Sequence, residues 1–324
     1  MSHNVVRGLG VALAMLGAIA AGTACAQAWP TKPVRIVVPF SPGGGTDIQG
    51  RLLAKKFTES MGQTFLVDNR SGAAGLIGAE IVAKSPPDSS NVLFTTASLA
   101  VNVSLYKQSA FDPLKDLAPV SWISSVPLVL VVHPAVPVKT VRELVALAKK
   151  RPGKMNVASN GSGTTSHLSI EMLKQMVGVD VLHVPYKGGG PAITAMLTGE
   201  VDFTFIVALA VQPHIKSGRL RPLAVTTRKR SSIFPELPTM SSIYPGFESD
   251  NWYAMFLPAG TSRETVSKLN GEIIKALRTP DVRDFITKEG GDPVGSSPEE
   301  LTKYFRREVD KYAKVIKVGN IIAE

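Results

Sequence analysis

Short runs of β-branched residues alternate with helical patterns along most of this chain. Residues 34–40 form such a run, and Ile48, Leu52 and Phe57 then recur at helical spacing. Further strands are predicted at 64–67, 92–96, 126–132, 155–159, 181–184, 201–207, 223–226 and 252–256. Helices are predicted at 75–84, 140–150 and 164–177, and from Pro191, Thr261, Thr279 and Ser297 onward. Capping boxes are predicted for Thr140 with Glu143, Thr261 with Glu264 and Ser297 with Glu300. This alternation predicts an α/β fold with mostly parallel sheets.

Three strand-to-helix junctions, at residues 40–47, 159–167 and 186–192, are rich in glycine. Parallel strands bring such loops to their carboxyl ends, where open α/β folds bind ligands. Unpaired N–H groups at a helix start favour anions, and glycine lets the backbone approach the ligand. Any one loop alone is better explained as a tight turn that serves only the fold, but three together favour a carboxylate-type ligand. Short hydroxyl donors nearby are Ser41, Thr46, Ser98, Ser162, Thr164 and Thr165.

The charged and aromatic residues near these loops admit two interpretations each. Asp47 lies in a first helical turn, where capping and ligand binding are equally compatible with its charge. His167 and Glu171 are spaced i, i+4; two ligands are too few for a metal, so a hydrogen bond between them is favoured. His183 is interpreted as structural. Aromatic residues that either line a pocket or fill the core are Phe40, Trp252 and Tyr253.

Several classes of function are disfavoured. The loop at 161–166 lacks the third glycine of a dinucleotide fingerprint, and no phosphate-binding P-loop, nucleophile elbow or zinc-protease motif is present. A single cysteine, Cys25, excludes zinc-finger spacings. The net charge is +10, but the basic residues are scattered and aromatics are only 6%, so nucleic-acid binding is not indicated. We expect no enzymatic activity, cofactor or metal.

The first 26 residues have the pattern of a signal peptide. An uncharged apolar run at 8–21 follows a single arginine, Arg7, and residues 24–26 (ACA) form a cleavage site before Gln27. The run is too short to span a bilayer comfortably. Lipid attachment at Cys25 is the alternative, although Gly22 stands where a lipoprotein signal has leucine. The sequence therefore predicts an exported, periplasmic protein.

Several segments resemble one family in order along the chain. Residues 39–47 (PFSPGGGTD), 69–75 (NRSGAAG) and 111–121 (FDPLKDLAPVS) resemble motifs of the tripartite tricarboxylate transporter receptors, the Bug family of extracytoplasmic solute-binding proteins. Residues 183–188 (HVPYKG) and 213–218 (PHIKSG) continue the resemblance. It ends with the pairs WY at 252–253 and PAGT at 258–261.

This resemblance implies a two-lobed periplasmic binding protein, of the Venus flytrap, type II-like class, with a mostly parallel sheet in each lobe. Lobe 1 is expected at 27–123 and 228–324, and lobe 2 at 124–227. The protein would capture a small organic carboxylate between the lobes, as a monomer, and deliver it to membrane permease subunits. Expected ligand-binding residues are Phe40, Ser41, Gly43, Gly44, Thr46, Asp47, Thr96, Ser98, Asn160, Ser162, Gly163, Thr164, His167, Gly188, Gly189 and Val207.

Two alternatives to a transport receptor stay open at this point. The same cleft could serve an enzyme that uses His167 and Glu171, or a sensory subunit that reports the ligand to a signalling partner. Ligand type is suggested by Ile206 and Val207, which stand where related chains often carry Asp and a small polar residue. Apolar surface there offers no partner to a ligand ammonium group. We therefore expect a carboxylate with an aliphatic or aromatic body, rather than an amino acid or a tricarboxylate.

Overall fold

The computed structural model describes residues 29–106, 110–227, 230–231, 233–288 and 290–322. The predicted signal peptide and Cys25 lie outside the described residues. From Lys32 onward the chain forms one unit, and every strand and helix of the described residues lies within it. Within the described ranges, no helix has both the length and the apolar character needed to cross a bilayer.

Ten strands and twelve α-helices alternate along this unit, as the hydrophobic pattern predicts. The strands are β1 Val34–Val38, β2 Phe65–Asn69, β3 Asn91–Thr96, β4 Leu117–Val132, β5 Asn156–Ser159, β6 Leu182–Pro185, β7 Phe203–Val207, β8 Arg221–Val225, β9 Asp250–Pro258 and β10 Asp292–Pro293. The helices are α1 Gly45–Met61, α2 Leu76–Ala83, α3 Ser98–Leu105, α4 Pro113–Asp116, α5 Val141–Lys150, α6 Thr165–Val177, α7 Gly189–Thr198, α8 Ala208–Lys216, α9 Met240–Ile243, α10 Arg263–Arg278, α11 Pro280–Lys288 and α12 Pro298–Gly319.

Three sequence-based predictions need correction. Strand β4 begins at Leu117, nine residues before its predicted start at Val126, because the segment pairs with β9 despite Pro119 and Pro127. Helices α3, α4, α8 and α9 and strand β10 were not predicted. Helix α10 is capped by the Ser262 side chain, which accepts a hydrogen bond from Thr265 N, and not by Thr261.

Parallel pairing is confined to two groups of strands. The first is β2-β1-β3 and the second is β6-β5-β7. Between them lie β9 and β4, which pair antiparallel with each other and with their neighbours β3 and β7. The expected α/β binding-protein fold is confirmed, with antiparallel strands added to each sheet where the chain crosses between them.

Strand β4 belongs to both sheets. Its residues from Leu117 to Pro127 pair with β9, and those from Leu128 to Val132 pair with β7 and β8. Thr226, which follows β8, lies beside this point, because Thr226 N donates to Leu128 O at 2.9 Å and Leu128 N donates to Thr226 Oγ1 at 3.0 Å. Because the adjacent residues Pro127 and Leu128 pair with different sheets, bending of one sheet against the other would be concentrated at this point.

The lobe boundaries stay a proposal. Phe234 and Leu237 pack in the apolar cluster of β7 and α7, and Met240 and Phe247 pack in the cluster of β5 and α5. These contacts favour placing residues 233–249 with lobe 2, and they put the last crossing at the start of β9. The return to lobe 1 at residues 226–227 stays a prediction.

Candidate functional site

Five helices begin directly at the carboxyl ends of parallel strands, and these junctions form the candidate site. The strands β1, β3, β5, β6 and β7 lead into α1, α3, α6, α7 and α8. The loop after β5 contacts the other sheet's helices across the site. A β-carbon built on Gly163 lies 2.8 Å from Leu105 Cδ2, 3.1 Å from Asn102 Oδ1 and 3.4 Å from Ala74 Cβ. Only glycine permits this approach, because its φ is also positive, at 78°.

Four of the five helix starts at this site lack a side-chain cap, and the fifth, that of α6, is capped by Thr164. Among the described residues, no side chain caps α1, α3, α7 or α8, which begin after Gly44, Ala97, Gly188 and Val207. By contrast, hydroxyl caps serve α5, α9, α10 and α12, through Thr140, Thr239, Ser262 and Ser297. An uncapped start keeps its N–H groups available and carries a partial positive charge. Four such starts at strand ends suit a ligand with carboxylate groups.

In the first loop, Asp47 holds the backbone in place. Its Oδ2 accepts from Gly43 N at 2.9 Å and from Arg51 Nε at 3.1 Å, and Arg51 Nη2 lies 3.0 Å from Oδ1. Burial alone raises the pKa of Asp47, but the hydrogen bonds from Arg51, Gly43 and Asn69 outweigh it and hold the pKa below its ordinary value. Of the two interpretations of Asp47, these contacts favour capping the loop.

The rest of the first loop leaves space above its backbone. Ser41 and Gly44 are exposed, and a β-carbon on Gly44 meets only Ser41 O, at 3.7 Å. The backbone of Phe40 is held by Asn69, whose Nδ2 donates to Phe40 O at 3.0 Å. Thr46 is buried in the first turn of α1.

After β3, two buried hydroxyl groups interact with each other. Ser98 N donates to Thr96 Oγ1 at 3.3 Å, and the two hydroxyl oxygens are also 3.3 Å apart. Asn102 lies one turn further along α3, where its Nδ2 donates to Ala74 O at 3.0 Å. Its buried Oδ1 has no hydrogen-bond partner among the described residues and faces Gly163. No sequence signal pointed to Asn102, because the apolar residues on both sides of it hide the helical pattern of α3.

Two histidines support the second loop. Gly163 N donates to His167 Nδ1 at 3.2 Å, and Gly161 N donates to Ser159 Oγ at 3.1 Å, which in turn lies 2.6 Å from His183 Nε2. The predicted hydrogen bond between His167 and Glu171 is wrong. Glu171 Oε1 instead accepts from Lys174 Nζ at 2.7 Å.

The hydroxyl of Thr164 is already engaged in the second loop. Its Oγ1 donates to Gly161 O at 2.7 Å and accepts from His167 N at 3.4 Å, so it caps α6. The next residue, Thr165, donates from Oγ1 to Asn251 Oδ1 of β9 at 3.2 Å. This contact ties the loop to a crossing strand.

The third loop lies against the second. Gly188 N donates to Asn160 O at 3.1 Å, and a β-carbon on Gly189 lies 3.8 Å from Asn160 Oδ1, which has no partner among the described residues. Ile206 is fully buried in the apolar cluster beneath α7, so it offers no surface to a ligand. Val207 is half-buried and remains a candidate.

The structure thus brings the predicted site residues to the strand ends. Trp252 and Tyr253 are core residues: Trp252 packs with Phe305 and Tyr253 stacks on Phe94. No cluster of three or more metal-ligating side chains occurs in the described part of the chain.

Two sheets joined by crossing strands, with four uncapped helix starts at the strand ends, define a solute-binding protein of the periplasmic binding-protein class. Residues 50–321 match the family described as the tripartite tricarboxylate transporter family receptor. The chain belongs to this family, which confirms the resemblance seen in the sequence. It is 36% identical to protein BugT of Bordetella pertussis over 312 residues, which are 95% of each chain.

Two solved structures show what similar proteins bind. Rpa4515 of Rhodopseudomonas palustris with adipate is 36% identical and has a TM-score of 0.86, over 91% of this chain and 100% of that one. MatC from the same organism with bound malate is 29% identical and has a TM-score of 0.82, over 89% of this chain and 100% of that one. The family is one of solute-binding receptors.

Proposed function

We propose that this protein captures a small organic carboxylate at the strand ends of its two sheets, in the periplasm, and delivers it as a monomer to a tripartite membrane permease. The observation that carries the proposal is the set of uncapped helix starts after β1, β3, β6 and β7. Free amides there bind carboxylate oxygens without any arginine or lysine. The adipate and malate held by similar proteins support the ligand class.

We further propose a dicarboxylate with an apolar body as the preferred ligand. Asp47, the acid of the first loop, is paired with Arg51, so it is not available to an ammonium group. An amino acid would bury its ammonium group unpaired, at a cost of several kcal/mol. Val207 supplies apolar surface, on which each Å² hidden by a methylene chain gains about 25 cal/mol. Burial of Ile206 limits this surface to a smaller area than the sequence predicted.

Calorimetry with adipate, malate, citrate and aspartate tests the ligand class. We expect adipate to bind most tightly, and to raise the free energy of unfolding by about 2.7 kcal/mol at about 100 times its dissociation constant. Tight binding of citrate or aspartate, with no binding of adipate, would contradict the apolar preference.

The Gly44→Val variant tests the position of the site. Gly44 has a φ of −81° and open space at its β-carbon, so valine fits the fold but covers the amides at the start of α1. We expect this variant to lose adipate binding and keep its secondary structure. Gly271→Val in α10, where the β-carbon also meets nothing, is the matched control and should bind as the parent does. If both variants bind adipate equally well, the first loop is not part of the ligand site.

Export and delivery have separate tests. Mass spectrometry of the protein from the periplasmic fraction should give an N-terminus near Gln27, whereas a lipid-modified Cys25 would overturn that cleavage site. Loss of cellular carboxylate uptake on deletion of the permease genes would support delivery. If deletion of the gene for this protein leaves carboxylate uptake unchanged but abolishes a transcriptional response to the carboxylate, the result would instead support a sensing role.

A further inference from the structure

Asp250 occupies the point at which the chain crosses between the two sheets. It is the first residue of β9, and its register partner is Pro127, the last residue of β4 that pairs with β9. The next residue, Leu128, already pairs with β7 in the other sheet. Any bending of one sheet against the other therefore changes the surroundings of the Asp250 side chain.

The Asp250 carboxyl is poorly supplied with partners. Its Oδ1 has no contact with solvent and no hydrogen bond among the described residues, and its Oδ2 lies 3.4 Å from Ser125 Oγ. A carboxylate in such surroundings is far less stable than one in water. The structure thus places an ionisable group with an unsatisfied oxygen at the crossing strands.

The charged groups around Asp250 come mainly from α12, which contributes Glu308, Lys311, Tyr304 and Tyr312. Glu248 precedes β9 in the chain and adds a second negative charge. Strand β4 supplies only the Ser125 hydroxyl. The partner of Ser125 in β10 is Asp292, which is exposed.

The single nearby cation among these groups is already engaged. Lys311 Nζ donates to Glu308 Oε2 at 2.7 Å, and Trp252 Nε1 donates to the same oxygen at 3.2 Å. Burial raises the pKa of Asp250 to about 7; Lys311 opposes this rise, and Glu308 and Glu248 add to it. In this arrangement Asp250 therefore gains and loses its proton near neutral pH.

We propose that Asp250 is a proton-binding site that couples ligand capture to proton uptake. The proposal rests on the proposed function and adds a regulation to it. Protonated Asp250 stabilises the present arrangement, in which the Gly163 loop contacts α3. Ionised Asp250 favours separation of the two sheets, because bending at the crossing strands admits water to the carboxylate. Closure by hinge bending around a ligand is the usual motion of binding proteins.

The sign of the coupling follows from linkage. The present arrangement, in which the Gly163 loop contacts α3, is the closed one, and the arrangement with the two sheets separated is the open one. The closed arrangement binds the Asp250 proton more tightly than the open one. Closure therefore takes up a proton, and a rise in pH weakens closure. The Asp250 carboxyl has its midpoint near pH 7 in the closed form and is an ordinary carboxyl in the open form. The dissociation constant for a ligand that requires closure therefore rises up to about tenfold between about pH 6 and 8.

Two measurements on the parent protein and on Asp250→Asn test this coupling. The first is calorimetry with adipate between about pH 6 and 8, in buffers of different ionisation enthalpy, which reports proton uptake directly. The second is small-angle X-ray scattering of the ligand-free protein over the same range, which reports opening without any ligand. Asp292→Asn, at the exposed acid opposite Ser125, is the matched control.

We expect the parent and Asp292→Asn to bind adipate more weakly and to have a larger radius of gyration as the pH rises. Asp250→Asn should show neither dependence. Glu308→Gln is a second variant, and it should shift both midpoints to lower pH by removing a charge that raises the Asp250 pKa. If no dicarboxylate binds, the proposed ligand class fails while the scattering still tests Asp250. A parent protein whose radius does not change with pH, or an Asp250→Asn protein that keeps the dependence, overturns the inference.

Discussion

The imidazole rings of His167 and His183 lie parallel, with their centroids 4.1 Å apart and an angle of 7° between their planes. His167 accepts the Gly163 amide, and His183 reaches the Gly161 amide through the Ser159 hydroxyl. The stacked pair therefore sets the shape of the second loop. Burial, followed by the proximity of His183 and of Lys174, lowers the pKa of His167 to about 3, so this ring stays neutral in the folded protein.

His167 should make the fold sensitive to acid. Its pKa is lower in the folded chain than in the unfolded chain, where it is 6.5, so the unfolded state binds more protons below pH 6.5. This contribution to stability is complete above pH 6.5 and is lost as the pH falls towards 3, by at most about 1.4 kcal/mol for each pH unit. Urea unfolding of the parent and of His167→Asn measures the difference.

His167→Asn keeps an acceptor for Gly163 N and removes the titrating ring. We expect the difference in unfolding free energy between this variant and the parent to change steadily below about pH 6.5 in favour of the variant. A difference that is constant from about pH 5 to 8 would show that His167 does not titrate in this way.

The Asp47 carboxylate should matter more to stability than an exposed carboxylate on the same helix. Asp47→Ala leaves the Gly43 amide and Arg51 without their acceptor, and we expect a loss of roughly 1–3 kcal/mol. Because the folded pKa of Asp47 is lowered, this stabilisation is present above its ordinary pKa and disappears as the pH falls below it. Urea titration at neutral and acid pH reports both effects.

Glu59→Gln, on the solvent face of α1, is the control for Asp47→Ala. Glu59 lies 3.8 and 3.9 Å from Lys56 and Lys55 and is exposed, so its removal should change the free energy of unfolding by less than about 1 kcal/mol. Similar losses in both variants would mean that the Asp47 contacts contribute no more than a surface pair.

Thr165→Val should loosen the second loop from the crossing strand. Valine keeps the volume and shape of threonine but leaves Asn251 Oδ1 without the 3.2 Å hydrogen bond, at a cost of roughly 1–3 kcal/mol. The control is Thr194→Val in α7, where the exposed hydroxyl bonds only to Gly190 O of its own helix. Equal stability of the two variants would indicate that the Asn251 contact is dispensable.

Local patterns predicted much of this fold. The capping box of Ser297 with Glu300 is confirmed, because the short-range signal and the final contacts are the same. The box of Thr140 with Glu143 is half right: Thr140 Oγ1 accepts from Glu143 N, but Glu143 Oε2 accepts from Lys139 N. The glycine-rich loops also lie where strand and helix patterns placed them, since both depend on residues adjacent in sequence.

Long-range contacts account for what the sequence did not reveal. Six of the eight residues of α3 are buried, polar Ser98 and Asn102 among them, so the helix shows no clear division into an apolar and a polar face. His167 bonds to Gly163 and not to Glu171, and this pairing depends on how the second loop folds back over α6. The surroundings of Asp250 combine β4, β9 and α12, and no local pattern joins segments that far apart in the chain.

Uncapped helix starts have a consequence for how such a receptor changes over time. In the proposed site, the groups for a carboxylate at α1, α3, α7 and α8 are main-chain amides, which every residue except proline possesses. Substitutions in the surrounding walls, as at Val207, alter which molecular body fits while the anchor for the acid group stays in place. A lineage built on this scaffold is therefore able to switch cargo in single steps, without passing through a form that binds no acid at all.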